Sequence, residues 1–270
     1  MRQPPSAIKW SGGKRSSARQ ISELLPHANR YFEPFLGGGS VLFCRKDKEC
    51  FASDVYGPLV DFWKKVKKSP EKLVLHYEEQ WRLLQKDLPG HYYHVRERFN
   101  ANPTGEDLCF LSRTCVNGII RFNSDGHFNN SFHLSRRGMT PSRLREAIML
   151  WSKRLKNVDV SKRDYRETLS QVRKNDLVYL DPPYGGSSNR YIDDIKVNEL
   201  ASYLDSLNSK GVRWALSFDG RRGETVYSFQ IPKTLFKSEI EITSGLSAVT
   251  NVLSRQKHQV VEKLYTNFTL

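Results

Sequence analysis

Long apolar runs are missing from this chain of 270 residues. Nothing approaches the ~20 consecutive apolar residues of a membrane-spanning helix, and the opening MRQPPSAIKW lacks the apolar heart of a secretory signal. A soluble, cytoplasmic protein is expected. Cysteine is scarce as well: Cys44, Cys50, Cys109 and Cys115 fall in two pairs, each with five residues between its members. That spacing matches neither a CxxC redox site nor a common zinc pattern, and no histidine pair sits at ligand spacing beside it. Free, partly buried thiols are expected, and no metal. Acidic residues are also in deficit, 29 Asp and Glu against 43 Lys and Arg, giving a net charge of +14 and a pI near 9.6. Such a balance favours a polyanionic partner, nucleic acid first and an anionic membrane surface second.

What the chain does have is alternation. A helical pattern in KRSSARQISELL, a strand in RYFEPF, a helix after GGGSV and a strand in CFASD read as βα units, which predicts an α/β fold with a parallel sheet. From about residue 66 to about 140 the texture becomes helical and loop-rich, with Leu73, Tyr77, Trp81 and Leu84 at helical spacing, as expected of an inserted module. Thr140-Pro141 then signals a new helix, and strands resume in NVDVS, LVYLD, VRWALSF, SEIEIT and QVVEKLYTNF. The total is about seven strands, the last two forming an antiparallel end.

Two stretches carry chemistry. In YFEPFLGGGSVLF a strand ends and Gly37, Gly38 and Gly39 open a helix, offering close backbone approach and free N–H groups. Asp54, at the tip of the next predicted strand, can accept the hydroxyls of a ribose. The spacing is not GxGxxG, so an adenosine cofactor without a pyrophosphate, S-adenosylmethionine, fits better than NAD. IKWSGGKRS invites a P-loop reading, but the glycine that motif requires would fall on Ile8. Trp10 instead suits packing on an adenine or lining a methionine pocket, with Gly12, Gly13 and Lys14 closing over the far end; a plain surface loop is the rival reading.

The second stretch is DLVYLDPPYGG, where β-formers deliver Asp181, Pro182, Pro183 and Tyr184 to a strand tip. The exocyclic amine of a nucleobase is a poor nucleophile because its lone pair is delocalised into the ring. Accepting hydrogen bonds from it with the Asp181 carboxylate and the Pro182 carbonyl turns that lone pair toward an electrophile, while Tyr184 offers a stacking surface worth ~1–3 kcal/mol. The prolines stiffen the backbone that aims the oxygens. A base inside a duplex has to be flipped out to reach such a pocket. A polar strand end followed by a proline turn is the bland alternative.

The order KWSGGK, FEPFLGGGS, SD, an insert and then DPPY resembles the Dam-type, alpha-group (D12 class) DNA adenine-N6 methyltransferases over nearly the whole chain, and VVEKLYTNF is similar to that family's last strand. The resemblance implies a seven-stranded, Rossmann-like, S-adenosylmethionine-dependent sheet built from residues 1–65 and 141–270. It further implies a mainly helical target-recognition domain over residues 66–140. By the same resemblance Trp10, Lys14, Pro34, Phe35, Gly37, Gly39, Asp54 and Asp181 line the cofactor site, and Asp181, Pro182 and Tyr184 are catalytic. Within the insert, LSRTCVNGIIRFNSDGHFNNSFH resembles the family's recognition stretch. Asn117-Gly118 would enter the duplex, Arg121 would read a guanine edge, and Asn123, Asn129 and Asn130 are further contact candidates. Val116 stands where relatives often carry an aromatic, and Ser131 where proline is common.

Read without the family, RFNSDGHFNN is a polar β-hairpin turning at Asp125-Gly126. Arg136, Arg137, Arg143 and Arg145 supply charge for phosphates, and Arg221 and Arg222 lie at another strand end. The expected activity is methyl transfer to adenine N6 in double-stranded DNA by a monomer, with a cognate restriction endonuclease as an optional partner. Cytosine-N4 or RNA-base methylation, and a DNA-binding relative without turnover, are the alternatives.

Overall fold

The computed structural model of the protein describes residues 3–135, 137–183, 197–222, 225–227, 231–244 and 260–270. Tyr184 and Arg136, both singled out above, lie outside the described residues. The amino-terminal half gives α1 (Ala18–Leu24), β1 (Arg30–Glu33), α2 (Ser40–Cys44), β2 (Glu49–Asp54) and α3 (Gly57–Lys68). Three helices follow, α4 (Pro70–Lys86), α5 (Gly90–Ala101) and α6 (Gly105–Thr114), and then α7 (Pro141–Arg154). The sheet is completed by β3 (Val158–Lys162), α8 (Tyr165–Ser170), β4 (Leu177–Leu180), α9 (Val197–Ser209), β5 (Arg213–Arg222), β6 (Thr225–Tyr227), β7 (Ser238–Ser244) and β8 (Val260–Thr266).

The strands lie in the order β3-β2-β1-β4-β5-β8-β7, with the short β6 pairing β5 beside that path. The first five run parallel, and β8 is antiparallel to both β5 and β7. This is the α/β sheet with an antiparallel end that the residue pattern predicts, Rossmann-like as the family resemblance implies; β6 alone gave no signal. Strand alternation explains the layering. Tyr31, Leu177, Tyr179 and Ala215 face a core shared with α1, α3 and α7, while Phe32, Val178, Leu180, Trp214 and Leu216 face the other side, against α8 and α9. Both faces being covered, β4 is buried at every residue and reads as an unbroken apolar run.

The apolar faces of α4, α5 and α6 join the same core as α3 and α7. α3 itself runs unbroken through residues 65 and 66, so the border expected there falls inside a helix. α6 approaches α3 so closely that a Cβ on Gly105 would lie 2.3 Å from the Phe62 nitrogen, and Asp61 accepts the Gly105 N–H at 2.7 Å. The predicted hairpin is thinner than expected. Phe122 and Phe128 form a single antiparallel bridge, as do Cys115 and Phe132. The Asn123 side chain takes over the turn, its oxygen accepting the N–H groups of Asp125 (3.1 Å) and His127 (2.8 Å). All four cysteines are free thiols.

Candidate active site and nucleic-acid face

After β1 the chain crosses outward to β2 and β3, and it later returns to lay β4 on β1's other side, so the order switches between β1 and β4. Ligands bind at such a point, outside the carboxyl ends of the strands. β1 ends at Glu33 and is followed by the buried Pro34 and the partly exposed Phe35. Gly37 and Gly39 follow with φ of 47° and 65°, a backbone that side chains rarely adopt. Space enforces the same choice. A Cβ on Gly37 would lie 3.0 Å from Cδ1 of Trp10, and one on Gly39 would lie 2.8 Å from Cη2 of the buried Trp151. Trp63 Nε1 donates to the Gly37 carbonyl at 2.9 Å, fixing the turn from below.

Asp54 sits where the sequence placed it, at the tip of β2. Its Oδ2 accepts the Gly37 N–H and its Oδ1 the Tyr56 N–H, each at 3.0 Å, so one carboxylate ties the glycine turn to the next strand. Burial pushes this carboxyl above its ordinary value, and those N–H groups oppose the shift. Beside it lie two features the sequence reading passed over. Val55 is 44% exposed, a large aliphatic open to solvent next to the acid. Tyr165, the first residue of α8, stacks on Phe35 with ring centroids 5.3 Å apart. Its signal was positional: β3 neighbours β2, so the segment after β3 runs beside Asp54, whose carbonyl accepts the Arg163 N–H at 3.2 Å.

The rival reading of KWSGGK as a surface loop holds for Gly12 and Gly13, which are exposed, but not for the side chains around them. Trp10 packs on Gly37 and lies against Tyr56, ring centroids 6.0 Å apart. Lys14 is driven inward, its side chain 3% exposed, and Nζ stands 2.6 Å from Oδ1 of Asp181 and 3.6 Å from Oε1 of Glu262 on β8. Asp181 follows β4 directly, with Pro182 buried behind it. Burial, reinforced by the Glu262 carboxylate and opposed by the Lys14 ammonium, pushes the Asp181 carboxyl up to about 6. Glu33, at the end of β1, is held by the Tyr31 hydroxyl at 2.7 Å, and burial pushes it up to about 8. No group of three or more metal-ligating side chains lies together among the described residues.

The recognition candidates separate into two kinds. Asn117 (φ 56°) and Gly118 (φ 64°) are consecutive left-handed residues that lift a tight loop from the end of α6. The Lys9 side chain packs directly on Gly118, where an added Cβ would lie 2.0 Å from its Cδ. Arg121 is exposed, and its Nε donates to the Asn129 side-chain oxygen at 2.9 Å. Arg137 is exposed as well, 3.4 Å from Oε1 of Gln85. Asn130 corrects the expectation of a base contact. It is 6% exposed, and its Nδ2 donates to the carbonyls of Val116 and Ile119, both at 2.9 Å. Its oxygen accepts the Ser131 N–H at 2.9 Å, so the amide is spent on holding the 116–119 loop. Asn123 likewise fastens its own turn. Arg145 pairs with Glu71, which takes part of its charge out of the positive face.

The sequence profile of the D12 class of N6 adenine-specific DNA methyltransferases matches residues 10–241. A Type II methyltransferase, M.MjaIII, of Methanocaldococcus jannaschii is 32% identical over 242 residues, covering 78% of this chain and 82% of its own. A DNA adenine methylase of Vibrio cholerae is 28% identical over 188 residues, 68% of this chain and 66% of its own. The retron Ec67 DNA adenine methylase of Escherichia coli is 25% identical over 214 residues, 76% and 73% of the two chains.

Proposed function

The chain belongs to the D12 class of N6 adenine-specific DNA methyltransferases, and from that premise we propose how its own residues carry out the transfer of a methyl group to adenine N6. S-adenosylmethionine supplies the electrophilic methyl carbon. The residues at the switch point fit it. The glycine turn of Gly37 and Gly39 leaves room for close backbone approach, Asp54 offers a partly exposed carboxylate to ribose hydroxyls, and Val55, Phe35 and Tyr165 offer apolar surface to a purine. Trp10 and Lys14 close the amino-terminal side, with Pro34 supporting the turn.

Asp181 is the residue that acts on the acceptor. Ionised, it accepts a hydrogen bond from the adenine N6 amine, and with the Pro182 carbonyl it holds the nitrogen with its lone pair turned out of the ring plane. Lys14 on Oδ1 leaves Oδ2 for that amine. Tyr184 stacks the base, which leaves the duplex to reach the pocket. Residues 66–140 read the DNA sequence: the Asn117-Gly118 loop enters the duplex and Arg121, backed by Asn129, presents its guanidinium to a base edge. Arg136 and Arg137 meet phosphates, and the net charge of +14 supports binding that weakens steeply with salt. The enzyme works as a monomer in the cytoplasm on double-stranded DNA, either beside a cognate restriction endonuclease or alone.

The observation that carries this reading is Asp181 at the tip of β4, set against Lys14 and one strand from the glycine turn that Asp54 fastens. The test is incubation of purified protein with S-adenosylmethionine and unmethylated plasmid, followed by base-resolution sequencing, with Asp181→Ala protein as the blank. N6-methyladenine confined to one short motif is expected. Methylcytosine in its place, or equal signal from the blank, would overturn the assignment.

A further inference from the structure

Glu262 is a carboxylate that the reaction as described does not use, yet it stands inside the site. It projects from β8 to within 3.6 Å of Lys14 Nζ, and Lys14 is the group that touches Asp181. Its Oε2 is buried and has no hydrogen-bond partner among the described residues. A residue present only for packing would not keep a bare carboxylate oxygen out of water. Among the described residues, one ammonium between two carboxylates leaves a negative charge over.

The reaction has a use for that charge. As the N6 lone pair forms the bond to the methyl carbon, the carbon–sulfur bond breaks and its electron pair stays on sulfur. N6 then holds the positive charge, together with two hydrogens and the new methyl group. One of those protons leaves to Asp181 Oδ2 and from there to solvent, which restores the carboxylate. With Lys14 and Asp181 alone the two side chains would sum to zero, and the positive charge that moves from sulfur to N6 would arrive beside an ammonium. Charge placed where charge develops, in a site screened from water, is a strong lever on rate.

We infer that Glu262 is a positioning residue of the methyl-transfer site: through Lys14 it orients Asp181, and its charge balances the cation that forms on N6. This rests on the adenine-N6 reading above. Asp181 is faced by Lys14 from the amino-terminal segment, by Glu262 from β8 and by Glu33 from the end of β1, and the Glu262 carboxylate raises the pH at which Asp181 ionises.

The experiment is a ¹³C NMR titration of cofactor-free protein labelled at aspartate carboxyls, with Asp181→Asn identifying the resonance. Wild-type Asp181 is expected to titrate near about 6. In Glu262→Gln the midpoint falls by about one pH unit, and in Lys14→Met it rises. Turnover measured alongside falls about tenfold or more in Glu262→Gln, with KM for DNA and for cofactor held within about threefold. The acid limb of its pH profile moves down with the midpoint. Glu262→Asp, with the charge drawn back by one methylene, shifts the midpoint part of the way and carries the test alone if Glu262→Gln does not fold. An unmoved Asp181 midpoint, or turnover within twofold of wild type, would overturn the inference. Failure of the wild-type protein to methylate adenine would count against the reading it rests on, and the titration does not depend on that outcome.

Discussion

Replacing Asp54 by Asn separates what this residue does for the fold from what it does for the cofactor. The carboxylate accepts two backbone N–H groups, Gly37 on Oδ2 and Tyr56 on Oδ1. The amide that replaces it has one oxygen, so one of the two N–H groups meets an NH₂ donor instead. Losing that bond and leaving its donor unsatisfied costs about 1–3 kcal/mol. At roughly 2–4 °C per kcal/mol for a chain of this size, the melting temperature should fall by about 2–12 °C. The cofactor term is separate: a charged acceptor for ribose hydroxyls becomes a neutral one, and hydrogen bonds to charged groups contribute about 1.5–3 kcal/mol. The dissociation constant of S-adenosylmethionine should therefore rise about 10- to 100-fold. Calorimetric titration gives the second number and thermal melting the first. A lowered melting temperature with a dissociation constant within twofold of wild type would show Asp54 to be a fastener of the glycine turn and nothing more.

Glu33 sets a pH dependence of stability. Its carboxyl is pushed from an ordinary 4.5 up to about 8, so between those values the folded protein keeps a proton that the unfolded chain releases. The stability from Glu33 is complete below about 4.5 and is lost as pH rises toward 8. Glu33→Gln, which mimics the neutral acid, should melt with a flatter pH dependence over that window; parallel curves for the two proteins would refute the assignment. Arg121→Ala should leave melting unchanged and relax discrimination at one base position by about 1–3 kcal/mol, measured by competition among singly substituted duplexes. Asn130→Ala should do the reverse in kind: it frees two carbonyls and an N–H, lowers stability by about 1–3 kcal/mol, and weakens binding to every duplex alike. Loss of discrimination at a single position by Asn130→Ala would restore it to the reading set.

The sheet was legible because its central strand is buried on both faces and its tips end in residues with a job. LVYLD and CFASD are apolar runs tipped by an acid, and both fold as strands ending at Leu180 and Asp54. β6 was illegible because three residues, Thr225–Tyr227, are too few for a period to show. The asparagines of the recognition stretch carry a different lesson. Asn123, Asn129 and Asn130 are the same residue type in one polar segment, and only the fold sorts them. Asn123 stitches its turn, Asn130 is buried under the 116–119 loop, and Asn129 props a guanidinium at the surface. A side chain that can bond a base edge can equally bond a backbone, and spacing does not tell which. Glu262 escaped for a related reason: in an alternating strand it reads as one more outward charge, whereas β8 turns it toward Lys14.

The segment hardest to read turns out to join the parts. KWSGGK lacks the glycine a phosphate loop requires and by itself is compatible with a loop on the surface, yet three of its side chains reach three places. Lys9 lies along Gly118 in the loop after α6, Trp10 covers Gly37 in the turn after β1, and Lys14 grips Asp181. The glycines opposite Lys9 and Trp10 are the positions where an added Cβ would strike them. Residues far apart in sequence have thus been matched in size to a single stretch that precedes the first helix. Methyl transfer to one base in a duplex needs a cofactor seat, an acceptor acid and a recognition loop in fixed register, since a displacement of about 1 Å between reacting groups costs on the order of 10²-fold in rate. The sheet fixes the first two through neighbouring strand tips. The Asn117-Gly118 loop, proposed above as the third, arrives from α6, and the contact of Lys9 with Gly118 ties it to the segment whose Trp10 packs on Gly37 and whose Lys14 pairs with Asp181.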